Sequence, residues 1–175
     1  MDHLISAFNI IKNEAGDPRT GVGEEIFHFL SSLTPMVNVD LLIRDPTRGT
    51  LLTWRSDQFY GPGWHLPGGV LRFKESPLTR VKLVAQTELG VNVAVMNSPC
   101  RVESLTTSTR DIRGHFISML YQCSIDGDLD QRTEASSANP ESGQWKWHKK
   151  APQNLLSVHS VFRDTIDDYN IQAHV

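Results

Sequence analysis

Cysteine is scarce: Cys100 and Cys123 are the only two in 175 residues. They have neither the number nor the spacing of a disulfide framework or a metal knuckle, and read as buried thiols on two neighbouring strands. No run of lysine or arginine occurs and the formal charge is −3, so the electrostatic footprint of a general nucleic-acid binder is missing. No apolar stretch approaches the ~20 residues of a membrane span. The N-terminal residues lack the basic start, apolar core and cleavage site of an export signal. A cytoplasmic protein with small-molecule partners is expected, bound neither to nucleic acid nor to a membrane. Internal repeats and low-complexity tracts are absent too, and the length suits one domain with a sizeable core.

Residues 1–23 carry one apolar patch (Leu4, Ile5, Phe8, Ile10, Ile11) followed by a polar, glycine-bearing stretch. They read as an N-terminal extension whose patch docks on the body or on a partner subunit. Residues 24–175 then form a single domain. A helix is predicted over 24–33, ended by Pro35, and a hairpin over 36–44 and 50–55 around an Asp-Pro-Thr-Arg-Gly turn. Further strands are expected at 92–96, 100–106, 115–125 and 145–148, and a last amphipathic helix at 158–171. Residues 127–143 are almost purely polar, a long loop that is either functional or disordered. Strands interrupted by a loop-helix unit and closed by a terminal helix give an α+β, mixed α/β sandwich.

The most informative stretch is 68–91, GGVLRFKESPLTRVKLVAQTELGV. Ser76 is a good N-cap, Pro77 sits where a missing N–H costs nothing, and Gly90 suits the left-handed position that closes a helix. A helix over 77–89 is therefore marked at both ends by its own residues. Gly69, Glu75, Glu88, Gly90 and Val91 fall in the register of the Nudix box, which this stretch resembles. In that box, Gly-x5-Glu is followed after seven residues by Arg-Glu-aliphatic-x-Glu-Glu-x-Gly-aliphatic. Here Leu83 and Val84 replace the Arg-Glu pair and Thr87 replaces the first acid of the second pair, so Glu88 alone remains. Val84 and Glu88 are one helical turn apart, so one carboxylate on the metal-facing side has become an aliphatic group.

Within that superfamily the chain is most similar, from about residue 24 to 147, to the GDP-mannose mannosyl hydrolases, whose box is degenerate at the same helix positions. The resemblance implies a Nudix-type α/β/α sandwich around a central mixed sheet, a homodimer, and a Mg²⁺ or Mn²⁺ cofactor. It places Asp40 on the branch's first-strand aspartate, Arg55 on its diphosphate-contacting arginine, and Gly68 and Glu88 on the metal-binding carbonyl and carboxylate. His65, just before the glycine pair, is a candidate for contact with a base or phosphate, although packing would also explain it. His115, His148 and His159 fall in strand or helix patterns that packing accounts for.

The branch's Gln-His pair, whose histidine acts as base, aligns with Glu141 and Ser142. Glu141 is therefore the candidate base, with Glu134 in reserve on the same loop; alternatively Glu141 ligates the metal. Two of the branch's arginines are replaced by Val70 and Leu83, which thins the positive charge available to a leaving diphosphate. The implied activity is Mg²⁺-dependent hydrolysis of a nucleoside diphosphate sugar, releasing sugar and nucleoside diphosphate. Two alternatives stay open: cleavage of the P–O bond, and a Nudix fold that binds a nucleotide sugar without turning it over.

Overall fold

The computed structural model describes residues 2–168. Two helices lead the chain, α1 (Asp2–Ala15) and α2 (Glu24–Leu33). Glu24 and Glu25 complement the dipole at the start of α2. Helix α1 leaves Leu4, Ile5, Phe8 and Ile10 more than half exposed, so its apolar face is not docked on the body.

Eight strands follow in one mixed sheet. The long β1 (Met36–Asp45) runs parallel to β7 (His115–Asp126) from Met36 to Ile43. On the other side, β1 pairs with β2 (Gly49–Arg55) only beside their turn, at Arg44↔Thr50 and Asp45↔Gly49. The two strands then diverge. Two three-residue strands fill the splay: β3 (Gly63–His65) pairs with β2, and β4 (Gly68–Val70) pairs with β1. The strands β5 (Asn92–Val95) and β6 (Arg101–Thr106) flank β7, and β8 (Trp145–His148) flanks β2.

Alternation along β1 divides the core. Val39, Leu41 and Ile43 face a cluster with Val81, Val84, Ala85 and Leu89 of the central helix, whereas Leu42 joins Leu52, Trp54, Leu66, Phe162 and Ile166 on the opposite face. By the same alternation Asp40 lies on the side of Leu42.

The central helix, α3 (Pro77–Val84), is capped by Ser76, whose hydroxyl accepts the Thr79 N–H at 3.1 Å. It continues through a π-helical turn, Ala85–Leu89, and ends at Gly90 with φ of 69°. Glu75, before the cap, accepts from Arg80 Nε at 2.8 Å and pairs with its Nη2 at 2.7 Å, so the first acid of the box ties the loop to the helix.

Two expectations need correction. The terminal helix is broken into a 3₁₀ segment (Ser157–Phe162) and the short α4 (Arg163–Asp167); the part beyond residue 168 lies outside the described residues. The three-residue period of a 3₁₀ turn brings His159 and Phe162 to one buried side. Cys100 is exposed, because it precedes β6 rather than lying within it; Cys123 is buried. The polar loop is ordered by a 3₁₀ turn (Gln131–Thr133), by burial of Leu129 and Ala135, and by a bridge from Glu134 to Trp145. The short strands β3 and β4 have no counterpart in the sequence reading, since three residues carry no periodicity.

Candidate active site

A cleft of about 720 Å³ opens where β1 and β2 diverge, lined by Asp40, Arg55, His65, Gly68, Glu88 and His159 among others. Gly68 lies opposite Asp40 in β1. The N–H of Leu41 donates to the Pro67 carbonyl and that of Leu71 to the Val37 carbonyl, each at 2.9 Å. Antiparallel pairs alternate, so Asp40↔Gly68 is a non-hydrogen-bonded pair and both backbone groups of Gly68 point away from β1. The N–H reaches Glu88 Oε1 at 3.3 Å, and the carbonyl looks to the same side. A Cβ at Gly68 would collide with Asp40 Oδ1, and one at Gly69 would come to 3.0 Å of Val84 Cγ2. Where the box has a further acid, Val84 closes an apolar contact under the glycine pair.

Burial raises the Glu88 carboxyl to about 7, partly offset by the Gly68 N–H; the Asp40 charge adds to the rise. Arg55 counters it only through space. A buried carboxylate without a direct cation beside an outward-facing carbonyl is a hard-oxygen donor set that fits a divalent cation completing its shell with water and substrate. No cluster of three or more His, Cys, Asp or Glu suited to a metal occurs among the described residues. The donors present, the Glu88 carboxylate and the Gly68 carbonyl, are hard oxygens of the kind a divalent cation takes.

Asp40 is 1% exposed and accepts from Asn38 Nδ2 at 3.1 Å and from the Ser118 hydroxyl. Burial pushes it up to about 6 against those two hydrogen bonds. His159 Nδ1 accepts the Leu66 N–H at 3.0 Å, which leaves the ring proton on Nε2, 3.8 Å from Asp40 Oδ1. Burial, helped by Arg55, lowers His159 to about 4, so this contact joins a neutral imidazole to a carboxyl and is not an ion pair.

His65 has the opposite tautomer. Its Nδ1 lies 2.7 Å from the Leu66 carbonyl, which can only accept, so Nε2 is left to accept from Thr53 Oγ1 at 3.2 Å. Burial and the neighbouring His159 lower His65 to about 3. Both of its nitrogens are engaged, which marks it as a packed wall residue of the cleft. The Thr53 hydroxyl also approaches Glu88 Oε2 at 3.4 Å. With one proton it serves one acceptor at a time; when Glu88 is protonated, the acid donates to Thr53 and Thr53 to His65.

Arg55 stands at the end of β2, paired with Asp57, with its guanidinium 4.6 Å from the Tyr60 ring centre. Asp40, Arg55, His65, Gly68 and Glu88 thus share one cleft. Glu141 does not join them: it is exposed, its N–H is taken by Gln144 Oε1 at 2.9 Å, and the loop presents Ser142 and Gly143 to the cleft instead. Ser142 is held there because its hydroxyl accepts the Ser56 N–H at 3.0 Å. Glu134 is likewise remote, bridged to Trp145. Sequence reasoning missed His159, which reaches the site across 93 positions of chain from Leu66. No local pattern signals that contact.

Residues 34–158 match the NUDIX domain model. The chain belongs to the Nudix family. This Nudix chain is 30% identical over 131 residues to the low-salt glycan biosynthesis protein Agl8 of Haloferax volcanii, which covers 71% of this chain and 82% of that protein. Among solved structures, the MutT protein of Methanosarcina mazei superposes with a TM-score of 0.58 at 18% identity, covering 80% of this chain and 99% of its own. A UDP-X diphosphatase gives 0.56 at 19% identity over 95% of this chain and 76% of its own. At such identities the structural likeness is one of fold, and that fold is the mixed α/β arrangement expected from the sequence. The protein is a Nudix-type hydrolase, of a family that acts on nucleotide-derived substrates and generally uses divalent metal ions. No described helix is long and apolar enough to cross a membrane.

Proposed function

We propose that this Nudix hydrolase cleaves nucleoside diphosphate sugars with Mg²⁺, releasing free sugar and nucleoside diphosphate. One observation carries the reading: Glu88 is the single box-helix acid in the cleft, and it shares that cleft with buried Asp40 and with Arg55. A site with one strong carboxylate ligand suits neutralisation of a departing diphosphate better than activation of water at phosphorus by several ions. The name of the relative Agl8 adds support, since glycan biosynthesis draws on activated sugars.

In this reading Glu88 and the Gly68 carbonyl hold the cation, which when bound supplies charge stabilisation to the diphosphate oxygens. Arg55 adds a planar, bidentate cation on the same leaving group. Water oxygen bonds to the anomeric carbon while the bond from that carbon to the bridging oxygen breaks, its electron pair going to the diphosphate. The water proton passes to Asp40, whose raised basicity near neutrality suits a general base. Asn38 and Ser118 hold the carboxyl by hydrogen bonds, and His159 keeps its Nε2–H turned toward it. His65 supports the wall through Thr53. The protein acts in the cytoplasm as a homodimer, with the open apolar face of α1 as the natural contact; light scattering that returned a monomer would remove the dimer from this reading.

A panel of nucleotide sugars incubated with Mg²⁺ and separated by chromatography tests it. Free sugar and nucleoside diphosphate in equal amounts are expected from at least one member. Nucleoside monophosphate with sugar phosphate, or tight binding without turnover, would overturn it.

A further inference from the structure

The cleft has a second cationic wall built from residues outside the box. The loop between β6 and β7 carries Arg113, which lines the cleft with Arg55 and Tyr60. Its guanidinium is packed 4.8 Å from the Phe59 ring centre, 5.1 Å from that of Phe27 and 5.6 Å from that of Tyr60. Arg55 lies over the same Tyr60 ring, and so does Arg110, at 4.5 Å. Three guanidiniums thus gather around one aromatic ring. Asp57 is the one carboxylate that pairs into the group among the described residues, and it is committed to Arg55. Arg113 Nε is buried without a hydrogen-bond partner among the described residues.

The backbone holds Arg113 in place at some cost. Its φ is +54°, a left-handed conformation that side-chain-bearing residues seldom adopt. The N–H donates to Ser31 Oγ at 3.0 Å, and the carbonyl accepts from the Tyr60 hydroxyl at 3.1 Å. Ser31 is buried in α2 and donates in turn to the His28 carbonyl at 2.9 Å. The next residue must be glycine, because a Cβ at Gly114 would collide with the Arg110 carbonyl. Like charges concentrated, partly desolvated and fixed in orientation form an anion site whose cost of ordering is met by the fold.

We infer that Arg113 is a substrate-binding residue that, with Arg55, grips the diphosphate of the substrate from the rim of the cleft, standing in for the arginine positions occupied here by Val70 and Leu83. This rests on the nucleotide-sugar reading for the identity of the anion's owner, while two arginines lining one cleft suit a phosphate-type anion of more than one oxygen-bearing group. Arg110 is not part of the subsite: it does not line the cleft, and it donates to the Phe59 carbonyl.

The test is calorimetric titration of inorganic pyrophosphate, with Mg²⁺, into the full-length protein and three variants. Arg113→Met keeps the stem against Phe27 and Phe59 and removes the charge; affinity should fall ~10- to 100-fold, the scale of a lost charge-assisted pair. Arg113→Lys should recover part of it, and Arg110→Met should stay within about twofold of wild type, each at an unchanged melting temperature. Pyrophosphate binding within twofold of wild type in a folded Arg113→Met, equal losses in Arg110→Met, or no binding to wild type would overturn the inference. Should Arg113→Met lose melting temperature, the Lys variant decides: an affinity no better than that of Arg113→Met would overturn it. If no sugar is released from any nucleotide sugar while Arg113→Met still weakens pyrophosphate, the substrate reading falls and the subsite stands.

Discussion

Glu88 concentrates the electrostatics of the site in one group. Its carboxyl is raised to about 7 from an ordinary 4.5 chiefly by burial, so in the proposed metal site protons and cation compete for it near neutrality. Mg²⁺ or Mn²⁺ affinity should therefore fall about tenfold for each pH unit below about 7, measured by calorimetry. Glu88→Gln should lower that affinity by at least ~100-fold while the protein stays folded. The linkage has a definite sign. A carboxyl raised in the fold contributes stability that is complete below its unfolded value and is lost as pH rises through about 7, so metal-free Glu88→Gln should lose less stability than wild type between pH 5 and 8. His65, His148 and His159, lowered to about 3, 4 and 4, act in the opposite sense, losing stability as pH falls below their ordinary value of 6.5. Comparing variant with wild type cancels them. An unchanged metal affinity in Glu88→Gln would remove this residue from the metal site. At the same scale, the resemblance to the Nudix box and its branch picked out Glu88, Gly68, Asp40 and Arg55, and all four line one cleft. His159 and Arg113 were not legible in the sequence, because each is brought in by a fold-level crossing that no neighbouring residue announces.

At the scale of elements, what the sequence states clearly is what depends on local chemistry. The helix from Ser76 to Gly90 came out with the expected cap and the expected left-handed end, since both are properties of single residues. The strands flanking it agree to within a residue or two because alternation and β-branching carry over several positions. The terminal helix did not, since apolar residues spaced three and four apart suit a 3₁₀ segment followed by an α-turn as well as one continuous helix. The polar loop hides its order in two apolar residues, Leu129 and Ala135, that pin it to the core. Strand β4 owes its existence to tertiary pairing, and its tightest constraint is Gly68. Gly68→Ala should push β4 from β1, destabilise the protein by about 1–3 kcal/mol and weaken metal binding together. Thermal melting and calorimetry on that variant check both; an unshifted melting temperature with normal metal affinity would contradict the close approach.

Across the whole molecule, the cleft is assembled from parts far apart in sequence. The central helix supplies Glu88, β1 supplies Asp40, β2 supplies Arg55, the 3₁₀ segment supplies His159, and α2 anchors the loop that carries Arg113. Helix α2 is thus a structural support of the site. In the proposed reaction the bond at the sugar carbon breaks and the diphosphate leaves as one piece. Hydrolysis of a turned-over nucleotide sugar in ¹⁸O-labelled water tests it most directly. Label should appear in the anomeric hydroxyl of the free sugar and be absent from the nucleoside diphosphate. Label on phosphorus, in a nucleoside monophosphate or a sugar phosphate, would rule out cleavage at the sugar carbon.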